Sequence, residues 1–179
     1  MGLVKKYILK TGIKYGLTGS IIILLFYTGL IVINKNIFQP ALLLLAGMII
    51  ILFVLFSIIE YNQIDRAPRF WKNMSVGMIC NLIITVFFAL MMIMALKFIR
   101  PELHREFVDD RVAMMQEYKQ TYIEKFSEEH FNLLLEDVQT TTPLALAFDG
   151  PLKTSFGGLF FVIFFSLLFY LIKNKSNRL

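Results

Sequence analysis

Four windows of this chain lack Asp, Glu, Lys and Arg altogether: Tyr15–Asn34, Asn36–Ile59, Asn73–Leu96 and Thr154–Ile172, of 20, 24, 24 and 19 residues. A helix needs about 20 residues of low polarity to cross a hydrocarbon layer roughly 30 Å thick, so these windows dictate the solvent before any other feature is read. The next longest such window, Val138–Phe148, has 11 residues and is too short to cross. Composition agrees, with 57% hydrophobic and only 17% charged residues, far more apolar surface than one soluble core of this length uses. Ile, Leu, Phe and Met fill the windows without alternation, which excludes a barrel of apolar-out, polar-in strands. The expected fold is therefore all-α: a polytopic membrane protein with four transmembrane helices.

The first window follows Lys5, Lys6, Lys10 and Lys14. It is too long for the apolar core of a signal peptide and no small-residue cleavage pattern follows, so it reads as a retained span. The single cysteine, Cys80, lies within the third window and reads as a small packing residue.

Charge sets the expected orientation. Lys5, Lys6, Lys10 and Lys14 precede span 1, Arg66, Arg69 and Lys72 separate spans 2 and 3, and Lys173, Lys175 and Arg178 follow span 4. With four spans these segments share one side, and their 10 basic residues favour the cytoplasm. The other side carries Lys35 and the long segment Lys97–Lys153, where 11 acids outnumber 7 basic residues. The net charge of +5 thus sums a basic face and an acidic one, and gives nucleic-acid binding no support. The bilayer itself is the first partner, with anionic lipid meeting the basic face.

The chain divides into residues 1–100 with three spans, residues 101–152 outside the membrane, and residues 153–179 with span 4 and a basic tail. Pro40 suits the first helical position of span 2. Arg66, Arg69, Phe70, Trp71 and Lys72 mix aromatic and basic side chains between spans 2 and 3, an interfacial anchor or, alternatively, a partner patch. Beyond Pro101, Glu102–Phe126 sets Val108, Val112, Met115, Tyr122 and Phe126 at helical spacing, with Leu103, Phe107, Met114 and Tyr118 widening the stripe. Ser127 then caps a second amphipathic helix carrying Phe131, Leu134, Leu135 and Val138. Two such faces in succession predict an external, acidic helical hairpin. Thr142 and Pro143 start a short helix through Phe148, and Asp149, Gly150 and Pro151 are expected to turn the chain into span 4.

Candidate chemistry is sparse. No Asp, Glu, Lys, Arg or His falls inside the four windows, where proton and ion pathways usually leave one. The most polar pair there is Asn81 and Thr85, one turn apart on span 3, read as an interhelical hydrogen-bonding site with a substrate or lipid contact as the alternative. Gly12, Gly16 and Ser20 bare one face of the first helix for close packing, within the bundle or with another chain. His104 and His130 belong to opposite ends of the hairpin, so they supply no convergent metal ligands. No phosphate-cradling loop, H-E-x-x-H motif or nucleophile triad occurs. No catalytic residue, metal or cofactor is expected, and the chain does not read as an enzyme.

KKYILKTGIKYGL at residues 5–17, RPEL at 100–103, FSEEHF at 126–131 and TTPLALAFDGPLKTSFGG at 141–158 resemble a family of small four-span Bacteroidota inner-membrane proteins catalogued as a domain of unknown function. The resemblance covers nearly the whole chain and carries no catalytic residue. It implies a bacterial inner-membrane location with residues 101–152 periplasmic. Because members of the family are encoded near glycosyltransferases that use polyprenyl-phosphate carriers, it also implies a helper of such an enzyme. Two readings follow: a non-catalytic accessory or scaffold subunit joined to a membrane-protein partner or a second copy of itself, or a small transporter or flippase of a lipid or lipid-linked sugar, with a polar cavity converging on Asn81 and Thr85. An external sensor is a third. A groove lined by Asn81 favours transport, whereas a dry, filled bundle favours the subunit.

The orientation is testable by single cysteines placed at Gln120 and Ser176 in a Cys80→Ala background. Labelling from opposite sides of the membrane is expected, and labelling of Gln120 only from the cytoplasm overturns the assignment.

Overall fold

The computed structural model describes residues 2–33, 35–65 and 69–176. The expected span boundary at Asn34 and the basic residues Arg66 and Arg178 lie outside them, as do the side chains of Lys5 and Lys175. All secondary structure among the described residues is helical: α1 (Gly2–Val32), α2 (Pro40–Ile64), α3 (Phe70–Met94) running into a π-helical turn (Ala95–Ile99), α4 (Glu102–Glu117), α5 (Lys119–Lys125), α6 (Glu128–Thr140) and α7 (Pro143–Ser176). Four helices are long and apolar enough to span a membrane, over Lys6–Val32, Pro40–Ile64, Phe70–Ile99 and Pro143–Asn174.

α2 and α3 form the middle of the bundle, each touching both flanking helices, α1 and α7. In their most apolar stretches, 50% of α3 is buried but only 17% of α7, so α7 is the helix most given over to lipid. The start of α1, the α2–α3 connection and the end of α7 share one end of the bundle. There Lys14 pairs with Glu60, Tyr15 Oη donates to Glu60 at 2.7 Å, and Lys173 Nζ donates to the carbonyls of Asn62 at 2.6 Å and Asp65 at 3.0 Å. A lysine on the last carbonyls of α2 satisfies groups that have no partner within the helix.

Close approach of α1 to α3 rests on glycine. A Cβ at Gly12 would lie 2.8 Å from Ile79 Cγ2, one at Gly16 2.8 Å from Ile83 Cβ, and one at Gly19 2.7 Å from Ile84 Cδ1. Ser20, also buried, returns its hydroxyl to the Gly16 carbonyl at 2.7 Å. The expected small-residue face is therefore covered by α3 within one chain and is not free for another protein. Further along the same ridge Ile23, Tyr27 and Ile31 are buried, with Tyr27 and Phe88 rings 4.8 Å apart. Small residues at one end and large ones at the other make the α1–α3 seam a wedge.

α7 has a matching ridge at four-residue spacing: Gly150, Thr154, Gly158, Val162 and Ser166 all turn inward. Here the structure corrects the expected turn at Asp149, Gly150 and Pro151. α7 is continuous through Pro151, so the short helix and span 4 are one 34-residue helix, about 51 Å long at 1.5 Å per residue. Proline removes one backbone hydrogen bond, but Gly150 and Pro151 are buried and Asp149 and Lys153 pair across the site at 2.6 Å. Opening a turn at the membrane surface would free several backbone groups instead of one.

The hairpin forms as the periodicity predicts. All of residues 102–138 are helical except Tyr118, Phe126 and Ser127, and Ser127 caps α6 by accepting from the His130 amide at 3.1 Å. The first limb is broken for one residue at Tyr118 rather than running unbroken to Phe126. Three ties dock the hairpin. Arg100 holds Glu102 at 3.0 Å and Glu106 at 3.1 Å, Asn36 Nδ2 donates to Asp110 at 3.1 Å, and the Phe38 and Phe107 rings meet at 5.1 Å. Its own backbone N–H, then the Arg100 guanidinium, hold the Glu102 carboxyl below the ordinary carboxylate range.

Because the small-residue seams are internal, Gly16→Leu and Gly158→Leu are each expected to lower the yield of folded protein, the overpacking costing about 1–3 kcal/mol or more. The protein that survives should elute at the wild-type volume. Unchanged yield for both would show that these faces look at lipid.

Candidate functional site

The intramembrane polar pair is drawn into helix packing and local backbone bonding. Asn81 is 2% exposed, and its Nδ2 reaches across to α7, donating to Ser155 Oγ at 3.1 Å and to the Ser155 carbonyl at 3.3 Å. Its Oδ1 lies against Gly158, where a Cβ would collide with it. Thr85 spends its hydroxyl on the Asn81 carbonyl at 2.8 Å. The two residues share a helix face: Asn81 Nδ2 makes the α3–α7 tie and Thr85 a local backbone bond, while Asn81 Oδ1 is buried beside Gly158 and Ile50 with no hydrogen-bond partner among the described residues.

The aromatic and basic patch is split. Phe70, Trp71 and Lys72 belong to the first turn of α3, not to a loop, and Arg69 is the residue before it. Trp71 is 69% exposed with the Phe70 ring 5.0 Å away. Lys72 turns inward to Asp65 at 2.7 Å, and Tyr61 Oη donates to the same carboxylate at 2.8 Å. Beneath them Asn62 Nδ2 donates to Asn73 Oδ1 at 3.0 Å. Trp71 and Arg69 thus face outward, while Lys72 belongs to a half-buried network that ties the start of α3 to the end of α2.

The cavity of useful size lies elsewhere, between the hairpin and the start of α7, with a volume of about 570 Å³. That is within the range of about 300–1,000 Å³ found for small-molecule sites. α4 supplies Phe107, Arg111, Met114 and Met115, one helical face by their spacing. α5 adds Tyr122, α6 adds Leu134, Asp137 and Val138, and α7 adds Ala145, Leu146, Asp149 and Lys153. The rim is stiffened by three threonines. Thr140 and Thr141 donate to the carbonyls of Glu136 and Asp137 at 2.8 Å each, and Thr142 accepts from the Ala145 amide at 3.2 Å. His104 Nε2 lies 2.7 Å from the Thr141 carbonyl, which can only accept, so that nitrogen carries the proton.

Within the cleft the charges are unequally matched. Lys153 and Asp149 neutralise each other at 2.6 Å. Arg111 sits over the Phe107 ring at 5.4 Å and forms no ion pair among the described residues, and neither does Asp137. A cation and an anion therefore border one space without meeting. Sequence reasoning places Arg111 and Asp137 among ordinary helix-surface charges, and only the folding of α6 back on α4 brings them to one cavity. Nor does it single out Ser155; it reads Lys173 only as a topology charge and does not read the α7 ridge over its full length. The ridge has a signal, a small residue every fourth position, which the phenylalanines around it obscure.

Among the described residues no three His, Cys, Asp or Glu side chains cluster as metal ligands. Residues 14–173 match the family described as "Protein of unknown function (DUF4199)", and the chain belongs to that family. No curated protein and no solved structure matches it. The four quoted motifs fall on caps and seams: Gly12 and Gly16, Arg100 and Leu103, Ser127 and Phe131, and the Thr142 cap with Gly150, Thr154 and Gly158.

If Asn81 is an interhelical tie, Asn81→Ala should lower unfolding stability in detergent modestly, by about 0.6 and at most about 1.7 kcal/mol. No stability change would remove the Ser155 bond from the account of this seam.

Proposed function

We propose that this member of the family is a non-catalytic accessory or scaffold subunit of the bacterial inner membrane, acting through its hairpin end. The observation that carries this reading is where unsatisfied surface remains. In the bundle interior the Asn81 amide nitrogen and the Thr85 hydroxyl are bonded internally and Asn81 Oδ1 is buried against Gly158, which speaks against a polar route for a transported headgroup. The hairpin, beyond the hydrocarbon, leaves Met114, Tyr118, Phe126 and Leu133 between 42% and 63% exposed. Lipid covers such residues on α7, but outside the membrane they call for a protein partner. The small-residue face is already occupied, so the partner, a membrane protein or a second copy, meets the hairpin instead. The family resemblance adds a class of partner, a glycosyltransferase using a polyprenyl-phosphate carrier.

The orientation proposed with this function has both termini cytoplasmic and the hairpin periplasmic. Supporting it, Lys14 in the first half of α1, Lys72 at the start of α3 and Lys173 near the end of α7 gather at one end of the bundle, as the positive-inside rule requires of cytoplasmic segments.

Affinity purification of the full chain in mild detergent, paired with Tyr118→Asp and Phe126→Asp, tests the reading. One membrane protein recovered in stoichiometric amount with the wild type, and at least tenfold depleted with either variant at unchanged melting temperature, is the expected result. Recovery of the chain alone, or of a partner indifferent to both variants, overturns it.

A further inference from the structure

We propose that the cleft between the hairpin and α7 is a lipid site that takes a zwitterionic phospholipid headgroup with a primary ammonium, of the phosphatidylethanolamine class. The ligand's chemistry follows from the charges that the fold leaves over. Lys153 and Asp149 cancel, so the cleft retains one cation, Arg111, and one anion, Asp137. Arg111 is half-buried, held over Phe107, and presents planar donors suited to a phosphate. Asp137 repels a purely anionic headgroup but accepts hydrogen bonds from an ammonium. A ligand carrying both groups a few bonds apart satisfies both at once.

Lipid is favoured over a soluble molecule by what lies along α7 from the cleft. Asp149 and Lys153 line the cleft, and at helical spacing the same face continues through Phe156 and Phe160 to Phe164. These phenylalanines are 70%, 65% and 48% exposed, and Gly157 beside them has open space where a side chain would be. A headgroup between Arg111 and Asp137 can thus lay an acyl chain along the exposed aromatic strip of α7, where Gly157 leaves room beside Phe156 and Phe160. The cleft meets α7 just before the uncharged stretch that begins at Thr154, the depth at which a bilayer presents headgroups.

This site goes beyond the scaffold reading and does not depend on it, since the isolated chain should show it. The test is native mass spectrometry of the delipidated full chain in detergent, given equal amounts of phosphatidylethanolamine, phosphatidylcholine and phosphatidylglycerol, with glycerophosphoethanolamine as a soluble arm. The expected result is retention of phosphatidylethanolamine at least tenfold above the other two lipids and above the soluble compound. Asp137→Asn, at an exposed position that does not threaten folding, should abolish the preference over phosphatidylglycerol. Arg111→Gln should weaken retention of all three lipids about tenfold, the scale of one charge-assisted contact. Equal retention of the three lipids, or a wild-type ranking that Asp137→Asn leaves unchanged, overturns the proposal. Glycerophosphoethanolamine binding as tightly as the lipid overturns it in favour of a soluble ampholyte.

Discussion

Helices in hydrocarbon gain nothing by hiding apolar side chains from lipid, because lipid is equally apolar, so backbone proximity and interhelical hydrogen bonds must hold them together. Here that constraint falls on α3. Gly12, Gly16 and Gly19 let α1 onto one side of it, and Gly158 lets α7 onto the other, with Asn81 bonded across to Ser155. The α1–α3 seam sets bare backbone on the flanking helix against branched side chains on α3, whereas on the α3–α7 seam Gly158 of α7 meets Asn81 and Gly77 of α3 meets Val162 of α7. Isoleucines 79, 83 and 84 of α3 fill the space the α1 glycines vacate.

The same constraint explains α7. Its ridge of small residues continues through Gly150 and Pro151, so packing against α2 and α3 does not pause where the sequence carries a turn signal. One lost backbone bond at proline costs less than the several that a break would expose to a nonpolar environment. Continuity has a consequence for the hairpin. The first turns of α7 belong to the same helix as span 4 and form one wall of the cleft rather than a separate interfacial helix.

Beyond the hydrocarbon the physics changes, and polar contacts take over. Arg100 with Glu102 and Glu106, and Asn36 with Asp110, fix the hairpin on the bundle mouth, while His104 with the Thr141 carbonyl ties α4 to the end of α6. They hold α4 and α6 apart from α7 at a distance that leaves a cavity of about 570 Å³. A largely apolar interior lies beneath an open, mixed-charge cleft. The proposed scaffold role and the proposed lipid site both rest on that division.

Four spans, an amphipathic hairpin and its Ser127 cap were legible in the sequence because each is a local pattern: a charge-free window, a helical period, a capping residue. The closeness of Gly12 and Gly16 to some helix was legible for the same reason. Which helix was not, since a small-residue face is equally suited to a neighbour in the chain or to another protein, and only the three-dimensional order of the spans assigns it to α3. The Asp149–Pro151 turn signal was misread because it is a local preference, overridden by packing on both sides of it. Arg111 and Asp137 lie 26 positions apart on two helices, each an unremarkable surface charge until the hairpin closes. Sequence determines local structure and solvent. Convergence of side chains on a shared cavity depends on distances between elements, and those exist only once the chain is packed.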